Sequence, residues 1–537
     1  MTSRVPYLLL ALFAVLGLGV VVYFVERSTT TSSDALEPGV RATPPTRPAE
    51  IAASAWTGLR IPRPAPADAS ALLLREGLDP IGRVASTPDV VGLLAWLDAG
   101  EYARLDAALA AFSDQSLSEP TKEHWGRLAF DAFATDDPST QAPLDAWVAA
   151  TGSWQARLAR GVYLVSLGYE RRGAATTAET SEAQLRGMAE AHGRAEVDLE
   201  AVLRARPNEV VAYEARLKVM KSNATPQALR SVYESAAPHC AHCLGIRVEY
   251  AVGLLPRWCG SVEAFESFVT GESARPTAPA HFAVLRAMPD WRACYQRETQ
   301  QAFDDALPYC DRAIATAPYE MFFRLRERLH RRAERHDAAG RDAAGVLATT
   351  PFSVEGNYAA FSAAARARDY VKAAEHLRIV AWRNPLDDRV RRNLPIVVQG
   401  LHWQANRAAT AGNAQVVAAA NAIGAQLSPG TFGEHAPSTH ILAAREAVTN
   451  APLDFDAVLA LDRQLAPQRR WAEIAAAWDT FLAANPDHTR ALLERGGTYY
   501  QWGRLIEAER DAQRACELGL AEACGRVEQV RRRRAGR

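Results

Sequence analysis

The chain has 537 residues, room for two to four domains or one long repeat array. Apolar residues make up 48%, enough for large cores, and 61 basic against 62 acidic side chains leave a formal charge of −1. That balance gives no whole-molecule field to gather nucleic acid, and the arginine excess (only Lys122, Lys218, Lys221 and Lys372 are lysine) reads as codon bias, not as a binding signal.

The first element is Pro6 to Val25, "PYLLLALFAVLGLGVVVYFV", a run of 20 uncharged residues. At 1.5 Å per residue such a helix matches a hydrocarbon core of about 30 Å. Arg4 precedes the run, while Glu26 and Arg27 cancel after it, which directs the N-terminus toward the cytoplasm. A cleaved signal peptide is the alternative. The run is longer than a usual signal core, no Ala-x-Ala follows it, and no cysteine stands ready for a lipid. Residues 1–27 are therefore expected to be a transmembrane signal anchor. Residues 28–70, with "TTTSSD", "TPPTRP" and "IPRPAPAD", are too poor in apolar groups to offset their ordering entropy and form a linker. The bulk of the chain is then expected on the periplasmic side of a bacterial inner membrane, where disulfides persist.

From Ala71 onward strand signals are nearly absent, and apolar residues recur at three and four. Between about Val91 and Phe268 four segments occur in order: "LLAWLDAGEYARLDAAL", "LDAWVAATGSWQARLARGVYLVSLGYERRG", "AEVDLEAVLRARPNEVVAYEARL" and "LLPRWCGSVEAFESF". Together they resemble a bacterial family of unknown function with a Pro-Arg-Trp-Gly-Gly-Ser hallmark, although Cys259 stands where that family has glycine. The resemblance implies a helical fold and an envelope compartment, and it brings no activity. Residues 71–285 are read as an irregular helical-repeat domain.

"HCAHC", His239 to Cys243, is the one dense metal-type cluster. Cys240 and Cys243 supply half of a tetrahedral zinc site, and His239 or His242 could add a third ligand. No second half follows at zinc spacing, and Leu244 instead of histidine excludes a haem attachment motif. In an oxidising compartment a local disulfide is the plainer reading. A redox or metal-dependent module stays open as the alternative function.

The third region, 286–537, repeats. "QAFDDALPYCDRAIATAP" ends at Pro318, "ERHDAAGRDAAGVLATTP" at Pro351 and "RDYVKAAEHLRIVAWRNP" at Pro385; each sets a small residue (Ala306, Ala339, Ala373) twelve positions before its proline. "RRWAEIAAAWDTFLAANP" ends at Pro486 with Ile474 at the small position, and "GRAEVDLEAVLRARP" fits upstream with Ala195 and Pro207. Small residues let two antiparallel helices approach, and proline ends the second one. With Gly496, Tyr499, Gly503, Leu505 and Ala508 in register near the end, this resembles the tetratricopeptide repeat. The resemblance implies an all-α fold: a right-handed superhelix (α-solenoid) of stacked helix pairs from about Ala71 to Val530.

Cys294 and Cys310 fall on the two helices of one pair, where a bridge is sterically plausible. "ACELGLAEAC", Cys516 to Cys524 around Gly519, is similar to the cysteine-rich Sel-one-like repeats of bacteria. That resemblance implies a disulfide between consecutive helices, where two free buried thiols would be the alternative. Cys259 is left single.

No phosphate-binding glycine loop, His-Glu-x-x-His or nucleophile triad occurs, so neither an enzyme nor a cofactor is expected. In "EMFFRLRERLHRRAERH", Phe322, Leu325 and Leu329 make an apolar stripe, and Arg324, Arg328, Arg331 and Arg335 fall opposite it. With Arg366 and Arg368 from the next pair, and Trp291 and Tyr295 from the one before, they outline a groove. Such a basic strip suits an acidic peptide or a C-terminal carboxylate. Arginines that only solvate their helix are the alternative. The expected function is a membrane-anchored, non-enzymatic scaffold for a protein or peptide partner. Repeats that serve only self-association are a third reading.

Overall fold

The structure is a computed structural model that describes residues 61, 63–64, 74–78, 84–173, 179–223, 225–258, 260–276, 278–428, 432 and 437–536. The anchor at 6–25 and most of the linker lie outside the described residues. Among those described, no helix is long and apolar enough to cross a membrane.

Twenty-four α-helices follow one another among the described residues, preceded by a single hairpin. Its strands, β1 (Leu74–Leu78) and β2 (Val84–Pro88), pair antiparallel with Leu74 opposite Pro88 and Leu78 opposite Val84. This corrects the strand-free expectation for the region after Ala71. Neither strand has the alternating apolar run by which strands are recognised. What holds β2 comes from far along the chain: Trp125 Nε1 donates to the Ser86 carbonyl at 2.7 Å.

The helices form antiparallel pairs of the tetratricopeptide-like kind, for the reasons the repeat suggests. Helices ending at Ala205, Thr316, Thr349, Arg383 and Ala484 each stop two residues before Pro207, Pro318, Pro351, Pro385 and Pro486. Proline bars helical conformation for the residue before it and cannot continue the ladder itself. Ala195, Ala306, Ala339, Ala373 and Ala508 are all buried where paired helices meet, and Ile474 fills the same position with more bulk.

Two compact units are present. The first comprises the described residues up to Ala363 together with His376–Val390; the second takes Ala364–Glu375 and the chain from Arg391 onward. The position near residue 285 therefore lies inside the first unit. The second unit centres on Trp478, whose Nε1 donates to Asp462 at 2.7 Å, packed with Val458, Leu461, Leu493, Ala515 and Ala523.

Two hydrophobic cores lie among the described residues of the first unit, and the helix Val210–Asn223 feeds both. Tyr213 and Leu217 belong to one, while Val211, Ala212 and Ala215 belong to the other. The unit's ends are also tied together. Arg383 Nη2 donates to the Asp131 carbonyl at 2.8 Å, Thr135 Oγ1 donates to the Arg383 carbonyl at 3.2 Å, and Arg63 Nε donates to the Trp382 carbonyl at 2.8 Å.

Three disulfides close: Cys240–Cys243, Cys294–Cys310 and Cys516–Cys524, with Cα separations of 5.4, 5.4 and 4.8 Å. All three lie within the range that a bridge requires.

Candidate ligand-binding cleft

A cleft of about 200 Å³ opens inside the first unit, walled by helices distant in sequence. Ser153 caps the helix Trp154–Arg172 by accepting from the Ala156 amide, and Gly173 ends it at φ 75°. Along this helix Val162, Val165, Ser166, Tyr169 and Arg172 face the cleft at helical spacing. The helix Val210–Asn223 adds Val211, Glu214, Ala215, Lys218 and Lys221, and the helix Leu244–Gly253 adds Gly245, Val248, Glu249 and Val252. Residues of the 127–136 segment (Arg127, Asp131 and Asp136 among them), Trp258, Tyr319 to Met321 with Arg324, Thr350, Ser353 to Glu355, and Arg383 with Asn384 also line it. Apolar side chains thus alternate with charges that helix burial would normally exclude.

Several of these charges pair within the wall. Lys221 Nζ lies 2.8 Å from Glu249 Oε2, and Lys218 Nζ lies 3.8 Å from Oε1 of the same carboxylate. Burial pushes Glu249 up, but the two lysines outweigh it and hold the carboxyl below its ordinary value. Glu214, 4% exposed, has no such partner. Burial pushes it up to about 8, against the pull of Arg127 and Lys218. Its carboxyl occupies the space over Gly245, where a Cβ would come within 2.1 Å of Oε1, so a larger residue there would push the carboxyl aside. Arg383 is 4% exposed. Nη2 is engaged by Asp131, while Nε and Nη1 have no hydrogen-bond acceptor. Trp258 Nε1 is likewise buried without one.

The arginine groove expected from the sequence is arranged differently. Phe322, Leu325 and Leu329 are buried, as the stripe requires. Arg328, however, grips the buried carboxylate of Glu298, with its Nη2 at 2.6 Å and its Nε also in contact, and Arg332 joins at 3.4 Å. Arg328 is thus committed to its own chain. Arg331 is exposed, with its Nε 3.4 Å from Glu327, and Arg335 pairs with Asp304. Arg324 points into the cleft wall. Arg366 is exposed in the second unit. Trp291 and Tyr295 are not groove aromatics: they are 2% and 8% exposed core residues, stacked on each other at 6.1 Å. Their helix, Ala283–Thr299, packs against three others, so it needs more than one apolar face.

The "HCAHC" turn is built in. His239 stacks on Tyr213, His242 Nε2 lies 2.9 Å from the Ser116 carbonyl, and Arg247 Nη1 donates to the carbonyls of Cys240 and Cys243 at 3.1 and 2.6 Å. Arg247 is itself buried and paired with Glu272 at 2.8 Å. The Sγ atoms and one nitrogen of His242 lie within 4.8 Å of one another. Joined as a disulfide, the two sulfurs offer a metal no thiolate.

Sequence reasoning passed over Glu214, Glu249 and Arg383. One signal pointed toward this place: two of the chain's four lysines, Lys218 and Lys221, line the cleft.

No family model and no curated protein matches the chain. Among solved structures, it aligns with the TPR domain of P58(IPK) at 13% identity and TM-score 0.23, over 81% of this chain and 98% of that one. The APC/C hetero-tetramer Cut9–Hcn1 aligns at 9% identity and TM-score 0.24, over 82% and 89%. The human IFIT1 dimer with PPP-AAAA aligns at 13% and 0.21, over 80% and 89%. The tetratricopeptide-like character rests on the chain's own prolines, small residues and helix pairs.

Proposed function

We propose that the chain is a non-enzymatic scaffold that holds a protein or peptide segment in the cleft of its first unit. On this reading it is anchored through residues 6–25 in a bacterial inner membrane with its bulk in the periplasm. The observation that carries the reading is the cleft itself, a concave, partly apolar space between stacked helices with buried polar groups still short of partners. Repeats of helix pairs use such inner faces for extended segments. The redox or metal alternative through Cys240 and Cys243 is weaker, because both sulfurs are buried and joined.

A photoreactive benzoylphenylalanine replacing Trp258 at the cleft, compared with one replacing the 65% exposed Val197, tests it in intact cells. The expected result is a polypeptide cross-linked from position 258 and none from 197. Equal labelling from both, or from neither, removes the reading.

A further inference from the structure

The last three helices of the second unit, Thr489–Trp502, Leu505–Glu517 and Ala521–Ala535, meet in a corner unlike the other turns of the chain. Gly503, at φ 87°, turns the first helix into the second, and the third returns so that its final turn lies beside that bend. Arg533 Nη1 donates to the Tyr500 carbonyl at 3.2 Å with its guanidinium 4.3 Å over the Tyr500 ring, and Arg531 and Arg534 share Glu509. Two large apolar side chains stand out from the bend: Trp502, 38% exposed, and Ile506, 72% exposed. At the equivalent places of the other left-handed turns between paired helices stand small or polar residues, such as Gln300 with Asp304 and Ala333 with Asp337. Val371 is the exception, and it is half-buried. The charge around Trp502 and Ile506 stays positive after every pair is counted. Residues 489–535 hold ten arginines and seven carboxylates, a net +3, although the whole chain carries −1. Ion pairing holds these side chains in place but leaves that sum unchanged. Two arginines answer to the one carboxylate of Glu509, and Arg532, 82% exposed, pairs at 3.2 Å with an exposed Glu528. Arg510, 66% exposed, lies 3.5 Å from Asp511, which Arg495 already holds at 2.7 Å.

We propose that this corner docks on an anionic lipid surface, with Trp502 and Ile506 entering the headgroup region and the arginines around them facing lipid phosphates. The combination is what a bilayer interface takes. An indole sits at headgroup level, an aliphatic side chain reaches the acyl boundary, and guanidinium groups bind phosphate while their stems lie along apolar surface. Arg504, 5.0 Å over the Trp502 ring, already sets the two kinds of group side by side. Both apolar groups project from a bend instead of lining a cleft, so a flat surface can cover them together. The contact rests on these residues alone, whether or not residues 6–25 anchor the chain.

An environment-sensitive fluorescent amino acid replacing Ile506 in the full chain tests this, with the same label replacing Val197, 65% exposed in the first unit, as the control. The vesicles are phosphatidylcholine alone or with about 30% phosphatidylglycerol, enough anionic lipid to give a negative surface. The expected result is a blue shift at position 506 on the anionic vesicles, little on the neutral ones and none at position 197. Raising the salt to about 1 M, where the screening length falls to about 3 Å, should weaken it. Arg510→Gln with Arg532→Gln alters two exposed side chains and should lower the affinity for anionic vesicles by roughly tenfold or more. Trp502→Gln should reduce the shift as well. No shift at 506, an equal shift on both kinds of vesicle or at 197, or a shift indifferent to the paired arginine substitutions overturns the proposal. A shift that grows with protein concentration in the absence of vesicles overturns it in favour of a second copy of the chain as the occupant. Flotation with the neutral vesicles reads the anchor separately. A chain that does not float there but shifts at 506 on anionic vesicles keeps this contact and loses the anchor, and one that floats without the shift does the reverse.

Discussion

Glu214 and Arg328 show how single residues here trade stability for position. Burial raises Glu214 from an ordinary 4.5 to about 8. Between those values the folded chain holds a proton that the unfolded chain has released, so stability falls as pH rises across that window. The contribution is fully present below about 4.5 and gone above about 8. Glu214→Gln should remove the dependence, and the variant should gain on the order of a few kcal/mol over the unsubstituted chain between about pH 5 and pH 8.5. Urea unfolding at the two pH values measures this, and a constant difference would count against an ionisable Glu214. Arg328 is the opposite case. Reversal to glutamate sets a like charge beside buried Glu298 and should cost roughly 3 kcal/mol or more, as breaking a buried pair does. Reversal of exposed Arg331, whose contact with Glu327 is longer at 3.4 Å, should cost less than that. Equal midpoints for the two variants in denaturant would show that Glu298 has another partner strong enough to hold it. Sequence spacing alone could not separate these arginines. Both lie opposite the apolar stripe, and the carboxylate that distinguishes them is on a neighbouring helix 30 positions upstream.

At the scale of the element, what was legible is what is local. The closing prolines and buried alanines act within a few residues of themselves, so a linear pattern exposes them and the structure keeps all of them in place. The turns inside the pairs were not legible. Gln301, Glu334, Arg368 and Arg469 adopt φ of 60°, 57°, 59° and 56°, the first three at intervals of 33 and 34 positions, and Gly412 and Gly503 do the same at 75° and 87°. One left-handed residue thus closes each of these turns, and four times the residue is not the glycine by which such turns are recognised. A non-glycine residue held there is strained by about 1 kcal/mol or more. Glu334→Gly should therefore stabilise the first unit by about 0.5–1 kcal/mol, offset in part by the added freedom of the unfolded chain. Glu334→Val should destabilise it. Thermal unfolding of the pair of variants checks the sign, and a lower midpoint for the glycine variant would mean that the glutamate side chain contributes more than its backbone costs. The hairpin before the helices escaped notice for a related reason: its partner group, the Trp125 indole, lies 39 positions beyond Ser86.

The cleft was invisible at the scale of the whole chain because no window of sequence contains it. A simple repeat array contacts only its neighbours, and its stability is a sum over adjacent pairs. The first unit departs from that rule. Non-reducing peptide mapping addresses one form of tie: it should recover the bridges 240–243, 294–310 and 516–524, and free alkylation of any of these six cysteines before reduction would remove that bridge. The polar ties are more distinctive. Asn384 Nδ2 donates to Asp136 Oδ1 at 2.5 Å and Thr135 Oγ1 donates to the Arg383 carbonyl, each across 248 positions. If these contacts make the unit fold as a closed whole, loosening them should be felt at both ends of the separation. A chain carrying Thr135→Val and Asn384→Ala loses these two hydrogen bonds and the one that Thr135 Oγ1 accepts from the Asp137 amide, each worth about 0.5–1.5 kcal/mol. Amide exchange in the helix Trp125–Phe130 should then quicken by roughly tenfold or more, because exchange reports the free energy of the opening that exposes it. In a nearest-neighbour array the same substitutions would quicken exchange only beside each altered residue, and the helix Val210–Asn223, which lines the cleft but touches neither, would keep its protection. Faster exchange there as well is the expected outcome, since that helix belongs to both cores of the unit. Unchanged protection in Val210–Asn223 would reduce the first unit to an ordinary solenoid with an accidental seam.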